Sequence, residues 1–166
     1  MHNSTRRNAI KTLLGLSALA SISGCGFQLR GQAALPFTAA YVVAPDTSNV
    51  ANALRRSLSS QQKLAKSLET APVRITLDQE SYSKNILALS GGGKVREYRL
   101  EYRVQLTVAN TAGVILVEPT EIRLSNDFSY TDAQVLAKEA EEASLNRSME
   151  QDALRQILRR LSYLKT

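Results

Sequence analysis

From Glu97 to Val108 the chain alternates without a break: Tyr98, Leu100, Tyr102, Val104, Leu106 and Val108 fall on one parity, and Glu97, Arg99, Glu101, Arg103, Gln105 and Thr107 on the other. A period of two predicts a strand with one covered face and one wet face, as in an antiparallel sheet. The alternating charges read as cross-strand pairs. Upstream, Pro72 restarts the chain as a strand in which Val73, Ile75 and Leu77 alternate with Arg74, Thr76 and Asp78, and extended character continues to Leu89. Ser90-Gly91-Gly92-Gly93 then makes a turn in which positive φ costs little. Downstream, Asn110-Thr111-Ala112-Gly113 is a second turn, and Val114 to Tyr130 a further strand. Pro119 in its middle, lacking an N–H, predicts an edge position or a bulge.

The remaining patterns are a short strand and two helices. Phe37 to Ala44 is apolar and β-prone, and Pro45-Asp46 closes it. Ser48 or Asn49 caps a helix running to about Leu68, with Val50, Leu54, Leu58, Leu64 and Leu68 near one face and Arg55, Arg56, Lys63 and Lys66 on the other. From Thr131 or Asp132 to about Leu164 a second helix carries Ala153, Leu154, Ile157, Leu158 and Leu161 as its core stripe. Its acidic residues Glu139, Glu141 and Glu142 lie early, and Arg155, Arg159, Arg160 and Lys165 late, the polarity that suits the helix dipole. The order β-α-β-β-β-α implies an α+β fold: a two-layer sandwich with two helices on one face of a four-stranded, mainly antiparallel sheet.

The N-terminus has a different organisation. Arg6, Arg7 and Lys11 precede an apolar run from Leu13 to Ile22, and Ser23-Gly24 offers small residues before Cys25. This is the layout of a secretory signal, and the run is about half the ~20 residues a bilayer span requires. Ile22-Ser23-Gly24-Cys25 resembles a bacterial lipobox, in which cleavage precedes a cysteine whose sulfur is diacylated. Residues 1–24 are then removed, Cys25 carries the lipid, 25–35 form a lipidated lead-in, and 36–166 form a single domain. Each buried CH2 of an acyl chain adds ~0.8 kcal/mol, so two or three chains anchor firmly to a membrane. Gly26 after the cysteine, where an aspartate would signal retention, points to the outer membrane, facing the periplasm. Thr5 to Lys11 also looks like a twin-arginine motif with Ala9 in place of a large apolar residue, which leaves two export routes open.

Processing changes the charge and the available chemistry. The chain has a formal charge of +6, half of it from the three signal cations, and 142 of its 166 residues remain after cleavage. A remainder of +3 gives no reason to expect nucleic acid as a partner. The single histidine, His2, lies in the removed segment and the single cysteine is acylated, which excludes Ser-His and Cys-His catalysis and the usual zinc sites. No cofactor or metal site is expected, and nothing gathers the fifteen Asp and Glu residues into a catalytic site. The mature chain therefore reads as a non-enzymatic lipoprotein.

Topology suggests where cations meet. If the three long strands form a meander, the last of them ends beside the triple-glycine turn. Lys138, just beyond it, then approaches Lys94 and Arg96 at one tip of the sheet. Such a cluster suits a phosphorylated or acidic glycolipid, because charge-assisted contacts to phosphate are about twice as strong as neutral ones. As separate solvated cations the three would contribute little.

Cys25 followed by Gly26-Phe27-Gln28-Leu29-Arg30-Gly31 resembles the mature start of the LptE family of lipopolysaccharide-assembly lipoproteins, which begins Cys-Gly-aromatic-x-Leu-Arg. Glu97-Tyr98 opening the long strand and Ala137-Lys138 opening the last helix are also similar to that family. The resemblance implies a plug inside the outer-membrane β-barrel LptD that assists the barrel's assembly and contacts lipopolysaccharide on its way to the outer leaflet. It also implies that Lys138 is a lipopolysaccharide contact. A second family contact, an arginine in the hairpin turn, falls at Gly91 here, so Lys94 or Arg96 would take its role. The alternative is an accessory lipoprotein of another envelope lipid-transport system.

Overall fold

The computed structural model describes residues 34–130 and 135–164. Its elements are β1 (Ala40–Val43), α1 (Asn49–Ser60), β2 (Val73–Leu89), β3 (Val95–Asn110), β4 (Ile115–Ser129) and α2 (Val135–Ser162). The lipobox and Cys25 lie outside the described residues.

The sheet has the order β1-β2-β3-β4, with β1 parallel to β2 and the other pairings antiparallel. The meander is thus as the alternation predicts, and the β1-α1-β2 crossover makes the sheet mixed. Leu100, Tyr102, Val104, Leu106 and Val108 of β3 are buried together with Val50, Leu54 and Leu58 of α1 and Met149, Ala153, Ile157 and Leu161 of α2. One core on one face therefore receives both helices. Fully burying each large apolar side chain here contributes about 1.5–3 kcal/mol, which is why a two-faced strand specifies the layer arrangement. Leu35 and Phe37 are buried in the same core, so the lead-in joins the domain one residue earlier than its lack of period suggests.

Pro119 sits where edge and bulge coincide. β4 is a sheet edge, and its register against β3 shifts between Thr120, paired with Leu106, and Val117, paired with Val108. Two β4 residues span the space of one on β3, so the missing N–H interrupts a place where the ladder is already broken.

α1 is shorter than the sequence pattern. Ser48 caps it, its Oγ accepting a hydrogen bond from the Ala51 N–H at 3.0 Å. The helix stops at Ser60, and Gln62 adopts φ 57°. Ser59 and Ser60 at this end favour helix less than Ala or Leu would. The chain beyond finds better partners on β1: the Ala40 N–H donates to the Lys63 carbonyl at 2.8 Å, and the Ala65 N–H to the Ala40 carbonyl at 2.9 Å. Lys63 leaves the basic helix face assigned to it and donates from Nζ to the carbonyls of Leu35 and Phe37 at 2.7 and 2.6 Å. Leu64 and Leu68, expected in the core stripe, are exposed.

A second departure lies in β2. Gln79 has φ 51°, and the pairing with β3 shifts between Asp78, opposite Gln105, and Ser81, opposite Arg103. Before this bulge Val73, Ile75 and Leu77 face the core; after it Tyr82 stands opposite the buried Tyr102, so even-numbered positions face the helices. Glu80 accepts from the Tyr102 hydroxyl at 2.8 Å, and Glu150 of α2 from the Tyr82 hydroxyl at 2.7 Å. Burial comes first in raising the ionisation of both hydroxyls well above the usual tyrosine range, followed by the bond to Glu150 for Tyr82 and to Glu80 for Tyr102.

Candidate functional site

The end of the sheet at the β2–β3 turn is built by short-range bonds. The Ser90 N–H donates to the Lys94 carbonyl at 2.7 Å, the Gly93 N–H to the Ser90 carbonyl at 2.9 Å, and the Lys94 N–H to Ser90 Oγ at 3.1 Å. Of the three glycines only Gly93, at φ 77°, uses the freedom expected of the run. Beside the turn the Tyr130 N–H donates to the Arg96 carbonyl at 2.8 Å, and Glu97 stands opposite Ser129.

Lys138 reaches this end from α2. Its Nζ donates to Ser129 Oγ at 3.4 Å and to Glu141 Oε2 at 2.8 Å, and its side chain is only 13% exposed. Lys138 thus meets β4 at Ser129, next to Tyr130, whose N–H donates to the Arg96 carbonyl, and Lys94 lies in the adjoining turn. Arg96 and Lys94 are exposed.

A fourth cation stands on the helix side of the same end. Lys84, opposite Leu100, places Nζ 4.4 Å from the Tyr98 ring centroid and 5.5 Å from that of Phe128, and pairs with Glu142 Oε2 at 2.5 Å. Tyr98 and Phe128 stack at 5.8 Å, and Tyr130 meets the edge of Tyr98 at 5.3 Å. The neighbouring stretch of β2 is apolar and open to solvent: Ile86 and Leu89 are each 58% exposed, and Leu87 is exposed as well. Cations beside exposed aliphatic side chains can hold an amphiphile with an anionic head and apolar tails.

The opposite face of the sheet is mainly polar, with Tyr41, Val43 and Leu87 as apolar exceptions. Arg99 forks onto Asp127 directly across the β3–β4 pair, at 2.7 and 2.8 Å. This is the expected cross-strand pair. Arg103, however, faces Arg123, and each is neutralised along its own strand, by Glu101 at 2.6 Å and Glu121 at 2.8 Å. Opposed like charges disfavour pairing unless locally compensated, and the i, i+2 carboxylates supply that compensation. Hydrogen bonds from Arg99 and from Arg103 hold the carboxyls of Asp127 and Glu101, respectively, below their ordinary range.

Lys84, its aromatic seat and its glutamate partner were not visible in the sequence pattern. Counting by twos from Val73 puts Lys84 on the wet face, and only the bulge at Gln79 turns it toward α2. A polar pair at Gln79-Glu80 between two alternating runs was the one available signal.

The model of the family described as LptE, lipopolysaccharide-assembly, matches residues 36–161. The chain belongs to the LptE family. It is 29% identical over 163 residues to the LPS-assembly lipoprotein LptE of Photorhabdus laumondii, covering 94% of this chain and 86% of the relative. It is 28% identical to the LptE of Yersinia enterocolitica, covering 94% and 76%. Among solved structures, an uncharacterised lipoprotein B of Nitrosomonas europaea is 38% identical with a TM-score of 0.71, covering 82% of this chain and 90% of that one. The rare lipoprotein B of Shewanella oneidensis, at 23% identity, shares the fold with a TM-score of 0.63, covering 72% and 90%. The β-α-β-β-β-α order expected of the sequence is therefore the fold of LptE-like structures.

Proposed function

We propose that this LptE-family chain is a non-enzymatic outer-membrane lipoprotein, anchored through Cys25, that plugs the LptD β-barrel, assists its assembly and contacts lipopolysaccharide at the tip formed by Lys94, Arg96 and Lys138. The observation that carries the reading is the tip itself, where cations flank exposed aliphatic side chains. Lipopolysaccharide combines phosphate with acyl chains, and this surface complements both parts. The polar sheet face supports the plug, because a protein filling a wet barrel lumen needs a surface that loses little on meeting a hydrophilic wall. Its ion pairs are satisfied within the chain, so the face is close to electrically neutral. Among the described residues no helix is long and apolar enough to cross a membrane.

The test is lipopolysaccharide binding by the full chain in detergent. Charge reversal of Lys94, Arg96 and Lys138 to glutamate should weaken binding at least tenfold, as expected for the loss of several charge-assisted contacts. Binding equal to that of the native chain would overturn the site.

A further inference from the structure

We propose that Lys84 is a further cation of the glycolipid site, and that Glu141 and Glu142 are its resident counterions, which an anionic headgroup must displace to bind. The inference rests on the lipopolysaccharide reading of the tip and adds how the site releases its ligand.

Two lysines from opposite sides of the tip are each held by one of two consecutive carboxylates on α2. Lys138 pairs with Glu141 at 2.8 Å and Lys84 with Glu142 at 2.5 Å. The positions of the lysines are fixed independently of those pairs. Lys138 is packed against the end of β4 with a 13% exposed side chain, and Lys84 lies over the Tyr98 and Phe128 rings at 4.4 and 5.5 Å. The ring faces attract an ammonium group without neutralising it, so Lys84 keeps its place and its charge when a different anion replaces the carboxylate. Glu142 is 27% and Glu141 44% exposed, which leaves both free to swing into water.

Binding is then an exchange of one anion for another. A phosphate arriving at Lys84 or Lys138 gains a charge-assisted bond, but the lysine loses one to glutamate, and only the difference contributes to affinity. Apolar contact with Ile86, which shares the helix-side face with Lys84, and with Leu89 at the strand's end, which no carboxylate can imitate, tips the balance toward an acylated phosphate over a free one. The carboxylates return when the ligand leaves, so neither lysine is left without a counterion. A site built this way holds its glycolipid briefly and hands it on.

The experiment titrates fluorescently labelled lipopolysaccharide into the full chain in non-ionic detergent, with melting temperatures as the control for folding. Removing both counterions, Glu141→Gln with Glu142→Gln, should tighten binding roughly three- to tenfold. Lys84→Met, which keeps apolar contact with the rings, should weaken it by a similar factor, and Lys84→Arg should bind within about twofold of the native chain. If Lys138→Gln weakens binding while the double glutamine variant and Lys84→Met leave it unchanged, the counterion exchange is wrong and the tip remains a lipopolysaccharide site. If the native chain does not bind, or Lys138→Gln binds equally, the site reading fails and the exchange fails with it.

Discussion

Single side chains at this fold's turns and caps have separable jobs. Ser48 is buried and its hydroxyl closes the first turn of α1, so Ser48→Ala should cost about 1 kcal/mol and lower the melting temperature by about 3 °C, read by circular dichroism. A melting temperature equal to the native value would mean that Ser48 contributes nothing as a cap. Gly91 and Gly93 differ although they are neighbours in one turn. A Cβ at Gly91 meets nothing within 4 Å and its φ is not positive, whereas Gly93 has φ +77°. Gly91→Arg, which adds a cation to the turn of the proposed site, should leave stability unchanged and strengthen lipopolysaccharide binding about three- to tenfold. Gly93→Arg should cost about 1–2 kcal/mol because an L side chain is forced into the left-handed region. Weaker binding by a folded Gly91→Arg chain would remove the turn from the proposed site.

At the scale of elements, what the sequence reveals depends on whether local pattern or tertiary partners decide. β3 is legible in full, because Tyr98 to Val108 keep one parity and every member of the apolar set faces the helices. The ends of α1 divide along the same line. Its start is set by a local cap at Ser48, but its end at Ser60 is set by β1, whose Ala40 draws Lys63 and Ala65 into backbone pairing. Leu64 and Leu68 continue the helical spacing only by coincidence. The bulge at Gln79 hides the most: it reverses the parity of half of β2, and with it the placement of Lys84. Of the proposed tip, the meander brings the end of β4, where Lys138 meets Ser129, beside the β2–β3 turn that carries Lys94, since strand order alone determines which strand ends are neighbours. The aromatic seat and the two glutamates depend on side-chain directions that strand order does not give.

The polar face ties the elements to the whole molecule through pH. The carboxyls of Asp127 and Glu101 are lowered in the folded chain, first by their hydrogen bonds to Arg99 and Arg103. Lowered folded values mean that their contribution is fully present above the ordinary carboxylate range near pH 4 and is lost as pH falls through the lowered values. Urea midpoints measured from pH 6 down to pH 2.5 should therefore decline, and Asp127→Asn should show a shallower decline than the native chain. Identical slopes would mean that the Arg99–Asp127 fork has no part in acid stability. The same largely neutralised face suits the proposed plug, because it loses little on meeting a wet lumen wall. The most direct test is affinity purification of a C-terminally tagged chain from detergent-solubilised outer membranes. One large β-barrel protein in equal amount is the expected result. An abundant, folded lipoprotein that emerges without a barrel would contradict the plug and favour an accessory role in another envelope lipid-transport system.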